Sequence, residues 1–252
     1  MSYIVVIPAR FGSTRLPGKP LLDIAGQTMI ERVYRRACAS AAERVVIATD
    51  DERVAEAAKR FGAEVCMTST EHESGTDRLQ ETAAQLGLSD EQCVINVQGD
   101  EPLVPPAIID QVADNLRACQ EAGMATLSTP IDCAEVFHDP NAVKVVSDRH
   151  GFALYFSRAP IPWPRDEMMT DALSLPAGLV PQRHLGIYAY RVAFLHRFVT
   201  WPVSALEAVE KLEQLRALEQ GVRIHVAEAR EVPPAGVDTE RDLAHLRELL
   251  GA

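Results

Sequence analysis

The chain has 252 residues, a hydrophobic share of 47% and a formal net charge of −11. That length buries a full core without disulfide staples, and the apolar share excludes a disordered chain. The negative balance excludes a broad nucleic-acid-binding face, so an anionic substrate would need a local group of cations and a metal ion.

In chain order, Tyr3–Ile7 is a short apolar run stopped by Pro8, the pattern of a buried strand entering a loop. A helix is predicted over Thr28–Ser40 and a second buried strand over Arg44–Ala48. Asp50 and Asp51 are candidate caps for a helix over Glu52–Phe61, with Gly62 just past its end. Glu64–Met67 reads as a strand, Thr76–Leu86 as a helix closed by Gly87, Cys93–Val97 as a fourth strand, and Pro105-Pro106 as the start of a helix reaching about Glu121. Strand and helix thus alternate four times, which predicts a mostly parallel sheet flanked by helices, with ligands beyond the carboxyl ends of the strands. The loops Pro8–Lys19, Thr68–Gly75 and Gln98–Pro102 are then expected to converge.

The second half is less regular. Val143–Ser147 and Phe152–Phe156 read as strands joined by the turn Asp148–Gly151. A Pro-rich stretch, Ala159–Pro164, leads into a loop of about Arg165–Gln182, followed by a strand over His184–Tyr190. Ser204–Gln220 is expected to be one amphipathic helix, with a capping box at Ser204 and Glu207 and an apolar face of Leu206, Val209, Leu212, Leu215 and Leu218. A strand over Val222–Ala227 and a helix over Thr239–Leu250 close the chain. Without repeats or low-complexity linkers, a single α/β domain over 1–252 is expected, with a strand-rich excursion at about 143–202. Cys38, Cys66, Cys93, Cys119 and Cys133 form no CxxC pair and are expected to be reduced packing residues. The N-terminus lacks the basic start of a signal peptide and no stretch has transmembrane length, so a cytoplasmic protein without membrane contact is expected.

The loop PARFGSTRLPGKP gathers Arg10, Arg15 and Lys19 with Gly12 and Gly18, the residue types that hold phosphate by charge and by close backbone approach. It is not a P-loop: five residues separate its glycines, and Pro20 follows Lys19 where that motif carries a hydroxyl. The fourth strand ends in NVQGDEP, where Gly99 permits a sharp turn and Asp100 presents an oxygen ligand suited to magnesium. Asp238 is the second carboxylate candidate, although it is equally placed to cap the helix that follows; Glu101 reads as structural. Ser74 is placed to cap the helix carrying Arg78, and His184 lies at the start of a strand near the expected cleft.

Taken together, IPARFGSTRLPGKPLLDIAGQTMIERVY, ATDDERV, SGTDR, NVQGDEP, YFSRAPIPW, HLGIYAYR, LEQLRALEQG and GVDTERDL resemble the sugar-activating cytidylyltransferases, those of 3-deoxy-manno-octulosonate (Kdo) in particular. These blocks run from Ile7 to Leu243, so the resemblance spans nearly the whole chain. It implies a Rossmann-like fold of the nucleotide-diphospho-sugar transferase type, with a dimerisation role for the excursion and a homodimer. It implies transfer of CMP from CTP to Kdo, with Mg2+ as cofactor and pyrophosphate as the second product, supplying lipopolysaccharide biosynthesis. By resemblance Arg10, Arg15 and Lys19 hold the triphosphate, and Pro8, Ala9, Ser74 and Arg78 the cytosine and ribose. Gln98 lies between nucleotide and sugar, Asp100 and Asp238 hold the metal, and Arg158, His184, Tyr188, Glu213 and Gln214 face the sugar. Arg158 is the candidate for the Kdo carboxylate, and Glu213 and Gln214 lie off the apolar stripe of their helix.

Three other functions make different demands on the sequence. A related acidic sugar, sialic acid or an amino analogue of Kdo, would leave the metal and triphosphate residues unchanged. A non-catalytic nucleotide-binding protein has no need of two metal carboxylates. An NAD-binding oxidoreductase would carry G-x-G-x-x-G after the first strand, which is absent from this sequence.

Overall fold

A computed structural model describes residues 2–12, 16–72, 74–165, 175, 180–234 and 236–251. In chain order the elements are β1 (Tyr3–Pro8), β2 (Asp23–Ile24), β3 (Gln27–Thr28), α1 (Met29–Cys38), β4 (Arg44–Thr49), α2 (Glu52–Arg60), β5 (Glu64–Met67), α3 (Gly75–Gln85), β6 (Cys93–Asn96) and α4 (Pro106–Ala118). There follow β7 (Met124–Pro130), α5 (Ala134–His138), β8 (Lys144–Ser147), β9 (Ala153–Ser157), β10 (Gln182–Arg191) and α6 (Val192–Phe198). The last are α7 (Ala205–Glu210), α8 (Gln214–Glu219), β11 (Ile224–Glu228) and α9 (Glu240–Leu249).

The chain divides into two compact units, the first of Met1–Asp114, Ile187–Val199 and Arg230–Ala252, the second of Asn115–Gly186 and Thr200–Ala229. In the first unit β1 lies between β4 and β6, parallel to both, and β4 pairs in parallel with β5. Residues Tyr188–Arg191 of β10 run antiparallel to β6. This is the expected α/β sheet with helices, and Val5, Val6 and Ile7 of β1 are fully buried, as a continuous apolar run requires. Helix starts are fixed chemically: Thr28 caps α1, Asp51 caps α2, and Ser74 with Asp77 forms a capping box on α3. Leu16, Ile24, Met29, Val237, Leu243 and Leu246 form one buried cluster. Each such side chain contributes about 1.5–3 kcal/mol by leaving water. The cluster also draws the loop after β1 towards the segment before α9.

In the second unit β11 pairs in parallel with β7, and β8 and β9 form the expected antiparallel hairpin. Its turn is held by Asp148, whose carboxylate accepts from the amides of His150 and Phe152, with Gly151 at φ 80°. The single helix expected over Ser204–Gln220 is corrected to α7 and α8, separated at Lys211, which adopts a left-handed φ of 55°. The break lets Arg216 donate to both carboxylate oxygens of Glu207, Nη2 to Oε1 at 2.6 Å and Nε to Oε2 at 2.7 Å. In an unbroken helix, nine residues would hold the two about 13 Å apart along the axis. The predicted apolar stripe breaks with it: Leu212 and Leu215 are buried, whereas Val209 is 83% exposed. The cysteines are all free thiols, with Cys66 buried and Cys38 exposed.

Candidate functional site

The three loops expected to converge in the first unit do so at Pro8. A Cβ on Gly99 would lie 2.9 Å from the Pro8 carbonyl oxygen, a separation real side chains do not tolerate, and one on Gly75 would lie 3.9 Å from Pro8 Cγ. The turn after β6 therefore passes against the end of β1 only because residue 99 is glycine. The Ala9 amide donates to the Ala48 carbonyl at 2.9 Å, which keeps the start of the first loop in line with β4. Further along that loop, Phe11 lies against Gly18 and beneath the Arg53 guanidinium, 3.4 Å from the ring centroid.

Lys19 is buried, and its Nζ donates to Asp100 Oδ2 and to Asp238 Oδ1, each at 2.8 Å. The two carboxylates, far apart in sequence, are thus aimed at one point. Local chemistry holds both in place. Asp100 sits on the Gly99 turn, and its carbonyl accepts from the Val237 amide at 2.9 Å, which seats the segment carrying Asp238. The N-cap of α9 is Thr239, with Asp242 completing a capping box, so the Asp238 side chain does not serve as the cap. Among the described residues no group of three or more His, Cys, Asp or Glu is arranged for a metal. A pair nevertheless fits magnesium, which takes one or two protein carboxylates and completes its shell with water and substrate phosphate.

The other described nucleotide-side candidates lie in the first unit. Pro8 is half-buried, Ala9 is buried, Arg10 is exposed and Gln98 is half-buried on the turn after β6; Arg15 lies outside the described residues. Ser74 is committed as the cap of α3, its hydroxyl accepting from the Asp77 amide and donating to the Asp77 carboxylate. Arg78 is fully buried; it donates to Thr68 Oγ1 and, at 2.7 Å, to Asp50 Oδ2, with Nε unpartnered. Asp50, a candidate cap in the sequence, instead anchors this arginine. The loop after β5 is further tied to α3 by Glu81, which accepts from the Ser69 amide at 2.8 Å and pairs with His72.

Four of the sugar-side candidates lie in the second unit. Arg158 donates through Nε to the Glu210 carbonyl at 2.7 Å and through Nη1 to the Pro140 carbonyl at 2.9 Å. His184 contacts Thr126 Oγ1 through Nε2 at 3.0 Å and stands edge-on to Phe156; desolvation pushes its imidazole down to about 3, so the ring is neutral. Glu213 and Gln214 sit at the break between α7 and α8. Gln214 is buried with Leu215, Arg216 and Ala217. Tyr188 belongs to the first unit, buried on β10 and stacked on Tyr190. Nothing in the sequence marks Asp50, beyond a cap, or Lys144 and Glu210, because their partners meet them only once the chain is folded.

The fold is that of a nucleotidyltransferase, and known proteins narrow the class. The family model described as cytidylyltransferase matches residues 4–224. The 3-deoxy-manno-octulosonate cytidylyltransferase of Pseudomonas syringae pv. syringae is 60% identical over 249 residues, covering 99% of this chain and 98% of that one. The protein of that name from Cellvibrio japonicus is 60% identical over 251 residues, with 99% and 98% covered. A solved structure of CMP:2-keto-3-deoxy-manno-octonic acid synthetase complexed with CTP superposes with a TM-score of 0.90 at 41% identity, covering 100% of this chain and 99% of that one. The chain belongs to the cytidylyltransferase family, in the branch of the 3-deoxy-manno-octulosonate cytidylyltransferases.

Proposed function

We propose that this chain transfers CMP from CTP to Kdo, releasing pyrophosphate and forming CMP-Kdo. The observation that carries the reading is the convergence of Asp100 and Asp238 on Lys19 beside the glycine-tight turns at Pro8 and Gly99. Its support in known proteins is the shared name and near-complete coverage of relatives at 60% identity. Asp100 and Asp238 would hold Mg2+, which supplies charge neutralisation at the phosphates and polarises the phosphorus under attack. Lys19, with Arg10 and Arg15, neutralises the triphosphate and so favours departure of pyrophosphate. Pro8 and Ala9 line the cytosine and ribose, and Gln98 stands at the nucleotide–sugar junction. Ser74 and Arg78 complete the cytosine and ribose side, Ser74 as the cap of its helix and Arg78 held by Thr68 and Asp50. Arg158 takes the Kdo carboxylate in its planar fork, and His184, Tyr188, Glu213 and Gln214 complete the sugar side. The attack of the anomeric hydroxyl on the α-phosphorus then needs positioning and charge, not a covalent nucleophile.

The test is pyrophosphate release with magnesium, pairing CTP or another triphosphate with Kdo or sialic acid. Turnover is expected with CTP and Kdo; silence there, with turnover of another pair, would sink the reading. We further infer a homodimer, because the second unit leaves Leu154, Val203 and Val209 more than half exposed. Sedimentation equilibrium checks this, and a monomer at micromolar concentration would rule it out. Among the described residues no helix is long and apolar enough to cross a membrane. The proposed setting is the cytoplasm, where activated Kdo feeds lipopolysaccharide biosynthesis.

A further inference from the structure

Arg158 does not stand alone in the second unit. Glu210, the last residue of α7, meets it at two points and the preceding Ser157 at a third. Glu210 Oε2 accepts from the Arg158 amide at 2.9 Å, and the Glu210 carbonyl accepts from Arg158 Nε at 2.7 Å. Glu210 Oε1 accepts from Ser157 Oγ at 2.6 Å, so both carboxylate oxygens are used on consecutive residues of one strand end. From the other side comes Lys144 of β8, which is fully buried. Its Nζ donates to the Arg158 carbonyl at 2.7 Å and to the Asp139 carbonyl at 2.9 Å, next to the Pro140 carbonyl that takes Arg158 Nη1.

A buried ammonium spent on two carbonyls is a costly way to close a turn, and burial pushes Lys144 below the usual lysine range. Apolar packing or a neutral donor would close it without that cost. The arrangement has one specific effect: it fixes the backbone and the Nε edge of a single arginine. Among the described residues Nη2 carries no intramolecular bond, which leaves that nitrogen to donate to a carboxylate.

We propose that Glu210 and Lys144 are positioning residues that hold Arg158 with its guanidinium presented to the carboxylate of the acidic sugar. Neither touches substrate; both act through Arg158. The inference rests on the proposed function for the identity of that carboxylate. Pre-organising the fork removes rotamer freedom before binding, so its loss weakens sugar binding and leaves the nucleotide half of the reaction intact.

A double-mutant cycle on the full-length enzyme tests this, using E210Q, Arg158→Met and both together, with KM measured separately for Kdo and for CTP. E210Q keeps the shape but removes the charge and turns one of the two acceptors, at Ser157 Oγ or at the Arg158 amide, into a donor. It is expected to raise KM for Kdo about tenfold, equivalent to about 1.4 kcal/mol, and to leave KM for CTP within twofold. In the Arg158→Met background the same change is expected to add nothing, because its route to the sugar is gone. Should E210Q fail to fold by circular dichroism, Ser157→Ala, which removes the hydroxyl that donates to Glu210 Oε1 and accepts from the Ala159 amide, takes its place with a smaller rise of the same selectivity. Additive losses, or equal rises in both KM values, overturn the proposal. No turnover of CTP and Kdo by the wild-type enzyme would overturn the functional reading as well, so the two failures are told apart by the wild-type control.

Discussion

Lys19 carries opposing demands in the first unit. Its ammonium is buried between two carboxylates, yet the proposed chemistry needs that charge on a triphosphate and those carboxylates on a metal. Replacing it tests the balance. Lys19→Met keeps the length and leaves Asp100 and Asp238 facing each other without compensation. Loss of a charge-assisted contact of this kind costs about 1–3 kcal/mol when buried, and partial exposure of both carboxylates, 34% and 46%, puts the value at the low end. For a chain of this length about 1 kcal/mol lowers Tm by about 2–4 °C. Magnesium without nucleotide is expected to restore Tm in Lys19→Met by bridging the carboxylates, while turnover stays about 100-fold down. Asp100→Ala is expected to abolish turnover with no recovery at saturating magnesium. Calorimetric scans with and without the ion separate the two variants, and indifference of Lys19→Met to magnesium would remove the pair from the metal role. Each of these side chains was legible in the sequence as a candidate. Their meeting was not, because it spans sequence separations of 81 and 219. The alternative open for Asp238, a helix cap, is settled one residue later, by Thr239 and Asp242.

Turns and strand ends place these side chains, and the tightest is the approach of the β6 turn to β1. Gly99→Ala would set a Cβ 2.9 Å from the Pro8 carbonyl, where backbone, not a flexible side chain, must move. Overpacking of this kind costs about 1–3 kcal/mol. Because Asp100 is the next residue, the shift carries the carboxylate away from Asp238. The expected result is a loss of at least about tenfold in kcat/KM with a Tm lowered by several degrees. A variant of wild-type activity would mean that the close approach does not set the site. Elements of this first half were legible because their apolar runs, caps and closing glycines agree: Asp51, Ser74, Gly62 and Gly87 all mark real ends. β7 was not. Its buried Thr126 and Ser128 look like loop residues until their hydroxyls are seen bonded to Leu185 and Gln182. The hairpin of β2 and β3 hides for a related reason: two-residue strands carry no periodicity, and only the positive φ of Ala25 and Gly26 marks the turn. The divided helix at Lys211 hid behind a perfect amphipathic pattern, since the pair that favours the break, Glu207 and Arg216, is invisible to periodicity.

At the scale of the molecule, a net charge of −11 makes acid the informative direction, and His184 supplies a defined response. Its folded pKa of about 3 lies below the value of about 6.5 for an unfolded histidine, because burial disfavours the imidazolium. Between these values the unfolded chain binds the proton and the folded chain does not. His184 therefore withdraws no stability above pH about 6.5, and stability is lost progressively as pH falls towards 3. His225 is shifted the same way by burial and adds to the fall. The carboxylates of Asp51 and Asp242 lie below their usual values, so the wild-type Tm also falls in acid for reasons unconnected with histidine. A difference measurement isolates His184. The Tm gap between wild type and His184→Asn should be set by packing alone at pH 8. It should then shrink, or change sign, as pH falls from 6.5 to 4, because the variant has no imidazole to protonate. A gap that stays constant over that range would mean that His184 is not held neutral by the fold, and with it would go the reading of the ring as a neutral hydrogen-bonding group on the sugar side.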